Sequence, residues 1–360
     1  MKTVNLALQG GGAHGAYTWG VLDFMLQDDR LDFEAISGAS AGAMNAVALA
    51  EGLMNGGREG ACRKLHDFWL SVSQEGALTP VQRKLFDAYF GAFAFSSAPA
   101  YLWFEALTYF ASPYELNPLN LNPLRDHLAE VIDFEKLRSS EGVELLIAAS
   151  NVFTGKGKIF HRRDLTADHV MASACLPRLF QAVEIKDVPY WDGGYAGNPP
   201  LWPLFYETRA EDVIIVQINP IARHETPRTA RDILNRIDEI TFNTPLLGEL
   251  RAVNFVNKLI DEGRLRPGEY KRMRLHRIGG DGELERFGAA TKLDTSWPFL
   301  TRLRDLGRQS AKEWLERHFD DIGVRGTLDL PATIAANAPA AALAGAGADA
   351  ARAGVEQDEE

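Results

Sequence analysis

Short, mostly apolar runs alternate along this chain with longer segments in which apolar residues recur every three or four positions. The short runs are typical of strands buried on both faces, and the longer spacing is that of a helix with one apolar side. Strands separated by helices favour a largely parallel sheet with helices on both faces. The sequence therefore predicts a three-layer α/β/α fold with a mainly parallel central sheet, its strands at residues 4–8, 34–37, 144–149, 158–160 and 212–218.

The helical spacing predicts crossover helices at residues 16–26, 40–53 and 124–137. Beyond residue 218 the pattern becomes helical. Thr226-Pro227 is typical of an N-cap followed by proline at the first helical position, and Asn243-Thr244-Pro245 predicts a break between two helices. A last helix is expected near residues 300–319. The chain from Pro331 onward is rich in Ala and Gly with an acidic end, so we expect residues 331–360 to be a disordered tail.

Residues 86–110 form an unusual segment, because they hold ten of the 35 aromatic residues of the chain. Two interpretations stay open. The segment is either a helical hairpin in the core or an interfacial flap through which a lipid substrate enters, since aromatic side chains with a polar tip suit a boundary between lipid and water.

Composition narrows the classes of function. The net charge of −11 argues against nucleic acid as a partner, because phosphate binding needs clustered cations. Two cysteines, Cys62 and Cys175, are too few for a disulfide framework and fit a reducing compartment. No leader-like segment precedes the first strand, and no apolar run reaches the roughly 18 residues of a membrane span. We therefore expect a cytoplasmic protein, with peripheral association at a membrane or storage granule left open.

Two glycine-rich turns follow the first two predicted strands. Residues 10–15 read Gly-Gly-Gly-Ala-His-Gly, and residues 38–42 read Gly-Ala-Ser-Ala-Gly. A serine between Gly38 and Gly42, at a turn from strand to helix, is the sequence form of a nucleophile elbow. It would present the hydroxyl of Ser40 at the carboxyl end of its strand, where active sites of parallel sheets gather. Ser40 is therefore the candidate nucleophile.

The earlier turn has two interpretations. Its spacing, Gly10-x-Gly12-x-x-Gly15, matches the dinucleotide-binding fingerprint, with Asp32 and Glu34 at about the right distance for a ribose contact. The second strand of that motif normally carries its acidic residue at the carboxyl end, whereas here the strand ends in the serine turn. The loop is better suited to hold an oxyanion with its backbone N–H groups, those of Gly11 and Gly12 in particular.

A serine nucleophile needs a base. The late histidines His224, His276 and His318 lie in segments without the marks of a catalytic histidine. Asp192 is the better candidate, because Gly193 and Gly194 leave its turn open and the aromatic residues before it can desolvate the carboxylate. Desolvation raises the pKa of a carboxylate and improves it as a base.

These three motifs, in this order and spacing, resemble the patatin-like phospholipase family. The resemblance covers about residues 4–220 and includes the segment 172–174, Pro177 and Phe180. It implies a lipid acyl hydrolase that works through a Ser–Asp dyad without a metal or other cofactor. By position it assigns the nucleophile to Ser40, the base to Asp192 and the oxyanion loop to Gly10, Gly11 and Gly12. We accordingly expect a catalytic domain at residues 1–220, a helical extension packed on it at residues 221–330, and the tail.

One residue departs from the family pattern. Many members carry Arg or Lys before Gly15, where this chain has His14. If the cation helps to hold an oxyanion or a phosphate, His14 makes that help dependent on pH; the equal alternative is a histidine that only caps or packs at the helix start.

The resemblance implies a lipid ester at a membrane or lipid-droplet surface as the partner. It favours a phospholipid or lysophospholipid, while a neutral glycerolipid or storage polyester stays open. Two other classes remain: a non-catalytic lipid-surface protein that uses the aromatic segment, and a dinucleotide-binding oxidoreductase. The sequence does not predict an oligomeric state.

Overall fold

The structure is a computed structural model, and it describes residues 1–73, 111–223, 225–266, 269–280, 282–287, 291–292 and 294–335. Eight strands in these residues form one sheet in the order β5-β6-β3-β2-β1-β7-β8, with β4 paired to β3. The strands are β1 (Lys2–Leu8), β2 (Leu31–Gly38), β3 (Glu144–Asn151), β4 (Gly157–His161), β5 (Val183–Ile185), β6 (Val188–Asp192), β7 (Asp212–Gln217) and β8 (Arg274–Gly279).

Helices cover both faces of the sheet. They are α1 (Gly15–Asp28), α2 (Ala41–Val72), α3 (Pro113–Leu116), α4 (Pro123–Val131), α5 (Phe134–Ser139), α6 (Ala167–Ser173), α7 (Trp202–Glu207), α8 (Ala230–Asp261), α9 (Trp297–His318) and α10 (Leu330–Ala335). Alternate strand residues enter two separate cores, as the pleat requires. Leu6 and Leu8 pack with α1, α2 and α9 on one face, and Ala7 packs with α7, α8 and α10 on the other. The predicted three-layer α/β/α fold is confirmed.

The central strands β3, β2, β1, β7 and β8 pair in parallel, and antiparallel strands complete the β3 edge. The registers there matter for the site. Ile147 of β3 pairs with both Gly38 of β2 and Phe160 of β4, so β2 and β4 lie on opposite sides of β3. Ala149 pairs with β4 and also with Asp192 of β6, so β6 lies on the same side as β2. The end of β6 therefore follows directly beyond the end of β2.

Helix α9 contacts α1 backbone to backbone. A Cβ at Gly20 of α1 would lie 1.9 Å from the carbonyl oxygen of Arg304, and one at Gly307 of α9 would lie 2.0 Å from that of Tyr17. Contacts this short admit only hydrogen, so two glycines set the distance between the helices. Strand β8 also joins the sheet from the C-terminal region. That region is thus packed on the first part of the chain by a helix and by a strand.

All five predicted strands are present, while β5, β6 and β8 were not predicted. Two helix predictions were wrong. Pro245 does not divide the region into two helices, because α8 runs through it from Ala230 to Asp261, and the N-cap of α8 is Thr229 rather than Thr226. The predicted helix at residues 124–137 is two helices, α4 and α5, separated where Asp133 caps the second.

Two further predictions fall wholly or partly outside the described residues. The aromatic segment 86–110 lies outside them, so its two interpretations stay predictions. Of the expected tail, residues 331–335 complete α10 and residues 336–360 lie outside. None of the helices in the described ranges combines the length and the apolar character needed to cross a membrane. The domain boundary near residue 220 also stays a prediction.

A buried ion cluster stabilises the start of β7. The carboxylate of Asp212 accepts hydrogen bonds from Arg274 Nη2 at 2.8 Å, from His276 Nε2 at 3.0 Å and from the Gly323 N–H at 3.0 Å. Burial alone would raise the pKa of Asp212, but these hydrogen bonds lower it well below its ordinary value. The folded state therefore favours the ionised carboxylate more than the unfolded state does.

We expect Asp212→Asn to lower the free energy of unfolding at neutral pH by about 2 kcal/mol, less than the roughly 3–5 kcal/mol of a buried pair broken outright, because Arg274 loses the buried carboxylate but keeps the more exposed Glu211. A depressed folded-state pKa gives stability that is present above about pH 4 and is lost as the pH falls further, so the difference from wild type should shrink on acidification. Urea denaturation at a series of pH values measures both the loss of stability at neutral pH and its decrease in acid. The control is Asp261→Asn, which removes an exposed pair with Arg272 and should change stability by less than about 0.5 kcal/mol. Equal losses in the two variants would contradict the assignment.

Candidate active site

Ser40 occupies a strained turn between β2 and α2. Its φ of 53° is positive, which is costly for a residue with a Cβ and is often found at functional sites. The turn is held by Ser173 of α6, whose carbonyl oxygen and Oγ accept from the Ser40 N–H at 3.1 and 3.0 Å. Gly42 allows the start of α2 to pack on β1, since a Cβ there would lie 2.2 Å from the Leu8 carbonyl oxygen. The Ser40 hydroxyl is thus fixed at the carboxyl end of the sheet.

Asp192 is the last residue of β6, where the strand registers place it next to the end of β2. Its carboxylate is buried, with 1% of the residue exposed, and accepts from the Gly194 N–H at 2.7 Å. Its backbone N–H donates to the Cys175 carbonyl at 2.8 Å, so the last residue of α6 and the segment just after it hold Ser40 and Asp192. The turn needs its glycines, because a Cβ at Gly193 would lie 2.2 Å from the Ala148 carbonyl oxygen.

The environment of Asp192 makes it a base. Burial raises the pKa of its carboxyl to about 7, and hydrogen bonds from the Gly194 N–H and the Ser40 side chain oppose part of that rise. A carboxylate with a pKa near neutrality accepts a proton far more readily than an exposed one, and the Ser40 side chain is one of the groups that influence this pKa. Asp192 is therefore a candidate base for Ser40, and no histidine is needed between them.

The glycine loop packs against the serine turn. A Cβ at Gly10 would lie 2.7 Å from both the Ala39 carbonyl oxygen and the Ser40 Cβ, so the two turns are in contact. The N–H of Gly10 donates to Asn198 Oδ1 at 2.7 Å. Gly10 is therefore not a free donor for an oxyanion, which corrects the prediction for that residue. The N–H groups of Gly11 and Gly12 have no hydrogen-bond acceptor among the described residues.

A network of side-chain amides supports this loop. Gln9 Oε1 accepts from the N–H groups of Ile218 and Asn219, both at 2.8 Å, and its Nε2 donates to Asn243 Oδ1 at 3.1 Å. Asn219 Nδ2 donates to the Gly10 carbonyl at 2.7 Å. These side chains come from the ends of β1 and β7 and from α8. They tie the loop to the ends of β1 and β7 and to α8.

His14 lies among apolar side chains and is 3% exposed. Its Nε2 is 2.8 Å from Thr291 Oγ1, and Phe287 and Phe299 pack near its ring. Burial, followed by the charges of Lys292 and Arg223, lowers the pKa of His14 to about 3. His14 is therefore neutral between pH 6 and 8, and the alternative of a packing histidine is the one that its environment favours.

The C-terminal region reaches this site at two places. Phe242 of α8 lies over the Asp192 turn, where a Cβ at Gly194 would be 2.2 Å from its ring. The carbonyl oxygen of Lys292 packs against the glycine loop, 2.3 Å from a Cβ placed at Gly12. Sequence reasoning did not predict these contacts or those of Asn198 and Asn219, and it included Ser173 only as part of the family resemblance. The available signal was that Asn219 directly follows the predicted strand at residues 212–218.

The other sequence candidates lie elsewhere. His276 is on β8 in the Asp212 cluster, which is at the start of β7 and hence at the end of the sheet opposite to Ser40. His318 pairs with Asp321 after α9, and His224 is outside the described residues. Glu34 accepts from the N–H groups of Arg209 and Ala210 at 2.7 and 2.6 Å, so the acid of the dinucleotide interpretation has a structural role. The described residues hold no cluster of three or more His, Cys, Asp or Glu side chains suited to a metal ion.

The family model of the patatin-like phospholipases matches residues 6–205, which is more than half of the chain. The chain belongs to this family. Membership implies hydrolysis of lipid esters. Comparison with the curated proteins gave no match. The solved structures include VipD from Legionella pneumophila, which is similar over 88% of this chain and 67% of its own, at 15% sequence identity and a TM-score of 0.38.

We expect Gly12→Ala to destabilise this patatin-like protein more than Gly155→Ala. Both glycines have positive φ values, 61° and 68°, so alanine should cost about 1 kcal/mol at either position. Only Gly12 also has a neighbour, the Lys292 carbonyl, and displacing it should add about 2 kcal/mol. Thermal unfolding of the two variants measures the difference. Equal melting temperatures would show that the loop does not pack on residue 292.

Proposed function

We propose that this protein is a serine acyl hydrolase that cleaves carboxyl esters of lipids through a Ser40–Asp192 dyad. The observation that carries the proposal is a buried carboxylate at Asp192, whose pKa burial raises to about 7 and the side chain of Ser40, in its strained turn, lowers in part. Membership of the patatin-like phospholipase family supplies the class of substrate.

The first step is acylation of the serine. Asp192 takes the proton of the Ser40 hydroxyl while the oxygen attacks the ester carbonyl carbon. The tetrahedral intermediate then collapses, the C–O bond to the leaving alcohol breaks, and protonated Asp192 returns the proton to that alcohol. The product is an acyl-enzyme on Ser40.

The developing oxyanion needs hydrogen-bond donors in place before the reaction. The N–H groups of Gly11 and Gly12 take this role in the proposal, and Gly10 holds the loop in place through Asn198. The N-terminus of α2 adds a favourable dipole next to Ser40. One such donor typically contributes about 3 kcal/mol of transition-state stabilisation.

The second step is hydrolysis of the acyl-enzyme. Asp192 removes a proton from water, the hydroxide oxygen attacks the acyl carbonyl, and the proton passes to Ser40 as the fatty acid leaves. The same residues therefore serve both steps, as they must when the second step reverses the chemistry of the first.

The substrate in this proposal is a phospholipid or lysophospholipid presented at a membrane or droplet surface. Trp191 and Tyr195, which flank Asp192 and its glycines, are 36% and 37% exposed. Aromatic side chains with a polar atom favour the boundary between water and lipid, so these two support peripheral contact close to the dyad.

We expect Ser40→Ala and Asp192→Asn each to lower kcat for p-nitrophenyl esters and phospholipid vesicles by at least about a thousandfold. Both should melt at the wild-type temperature or above it. Asp192 is the case of a raised folded-state pKa, so its ionisation opposes folding as the pH rises from about 4 through 7, and a neutral amide removes that cost. The assays should contain EDTA. Ser139→Ala, an exposed serine on α5, is the control and should keep full activity.

Retention of most activity by Asp192→Asn would sink the dyad. Vesicle binding without any ester cleavage by the wild-type protein would instead favour the lipid-surface alternative.

The rate should also depend on pH through Asp192. The carboxyl must be ionised to accept the Ser40 proton, and its pKa is about 7. We therefore expect kcat/KM to be low in acid, to rise tenfold per pH unit below the pKa, and to level off above about pH 8. A profile that stays flat down to about pH 5 would mean that the base is a less buried group.

A further inference from the structure

A chain of hydrogen bonds links a buried lysine to the glycine loop. Lys292 Nζ donates to Asn219 Oδ1 at 2.7 Å, and Asn219 Nδ2 donates to the Gly10 carbonyl at 2.7 Å. The Gly10 carbonyl and the Gly11 N–H belong to one peptide group. The chain thus ends at an N–H that has no acceptor among the described residues.

Lys292 and Gln9 both favour one orientation of the Asn219 amide, because Lys292 Nζ donates to its oxygen and its nitrogen also donates to Gln9 Oε1 at 3.3 Å. An ammonium group can only donate, so it must face the amide oxygen of Asn219, and this turns the amide nitrogen toward the Gly10 carbonyl. With the amide reversed, two oxygens would face each other at that carbonyl. Lys292 therefore helps to keep the amide nitrogen of Asn219 facing the Gly10 carbonyl, to which it donates.

The same chain strengthens the Gly11 N–H as a donor. A hydrogen bond to the oxygen of a peptide group polarises the group and makes its N–H a better donor, and the effect accumulates along a chain that begins at a charge. An oxyanion at Gly11 would be the last acceptor in the series.

We propose that Lys292, acting through Asn219, positions and polarises the Gly10–Gly11 peptide for oxyanion binding. Lys292 is a positioning residue in this proposal, and it supplies the cation that His14 does not. The inference rests on the proposed function, since an oxyanion forms only if Ser40 attacks an ester.

The charges around Lys292 are consistent with this role. Burial lowers the pKa of Lys292, while Glu239 and Asp238 favour the charged form and Arg223 opposes it. The charge of Lys292 is in turn a cause of the low pKa of His14. Burial thus works against the charge of Lys292, and Glu239 and Asp238 are the groups that favour it.

A double-mutant cycle tests the proposal. Lys292→Met, Asn219→Ala and the double variant are compared with wild type for kcat and KM on p-nitrophenyl butyrate, with melting temperatures measured in parallel. We expect each single change to lower kcat about tenfold with KM within about twofold, because only the transition state carries the oxyanion. The double variant should be no slower than Asn219→Ala, since Lys292 acts through Asn219. Losses that multiply to about a hundredfold would overturn the proposal, and so would an unchanged kcat in Lys292→Met.

Lys271→Met is the matched control. Burial also lowers the pKa of Lys271, but its Nζ donates to the carbonyls of Leu204 and Thr208, near the opposite end of the sheet. It should lose stability and keep its kcat. A tenfold fall in its kcat would mean that loss of any buried lysine slows the enzyme, and the proposal would be wrong.

Lys292→Arg covers the case in which Lys292→Met does not fold. Arginine keeps a charged donor facing Asn219, so kcat should stay within about threefold of wild type, and a fall as large as that of Asn219→Ala would overturn the proposal. Ser40→Ala separates the two hypotheses. If it keeps its activity, the proposed function fails; if it is inactive while Lys292→Met is fully active, only the role of Lys292 fails.

Discussion

Burial of one carboxylate beside one hydroxyl is the constraint around which this site is arranged. An ionised carboxylate without water is costly, and the protein compensates only in part, through the Gly194 N–H that donates to Asp192 and through the Ser40 side chain, both of which lower its pKa. The remaining cost raises the pKa of the carboxyl and is the source of its basicity. More donors would stabilise the fold and weaken the base. Gly193 and Gly194 keep the carboxylate buried, because the absence of side chains there allows β3 and α8 to approach closely enough to exclude water.

The position of that carboxylate follows from the sheet. Strand β3 pairs along one side with β2 and then with the antiparallel strand β6, so the last residue of β6 comes next to the turn that follows β2. The glycine loop after β1 and the Asn219 side chain after β7 meet the same edge. Elements far apart in sequence thus converge at the carboxyl ends of adjacent strands, which is where α/β proteins place their chemistry.

Much of this was predictable from the sequence, and the exceptions have physical reasons. The three glycine motifs and the buried strands could be predicted because their signals are local: a turn that needs Gly, or an apolar run. Strand β6, Val-Pro-Tyr-Trp-Asp, was missed because its proline and short length are atypical of a strand that pairs on both sides, as it does with β5 and β3. The break predicted at Pro245 was wrong because α8 accommodates the proline within one helix. Gly10 was assigned a free N–H because nothing local reveals that Asn198, 188 residues away, accepts from it.

The backbone contact between α1 and α9 has a consequence for the region that lies between β7 and α9. Strand β8 extends the sheet beside β7, and α9 is fastened to α1 where Gly20 and Gly307 leave no room for a side chain. Helix α8 and the segment that carries Lys292 are therefore held in place by the elements on either side of them. Both lie against the candidate active site, α8 through Phe242 and the segment through the Lys292 carbonyl. Substitutions in this region can therefore alter the wall of the candidate site while β8 and α9 keep its two ends packed on the sheet and on α1.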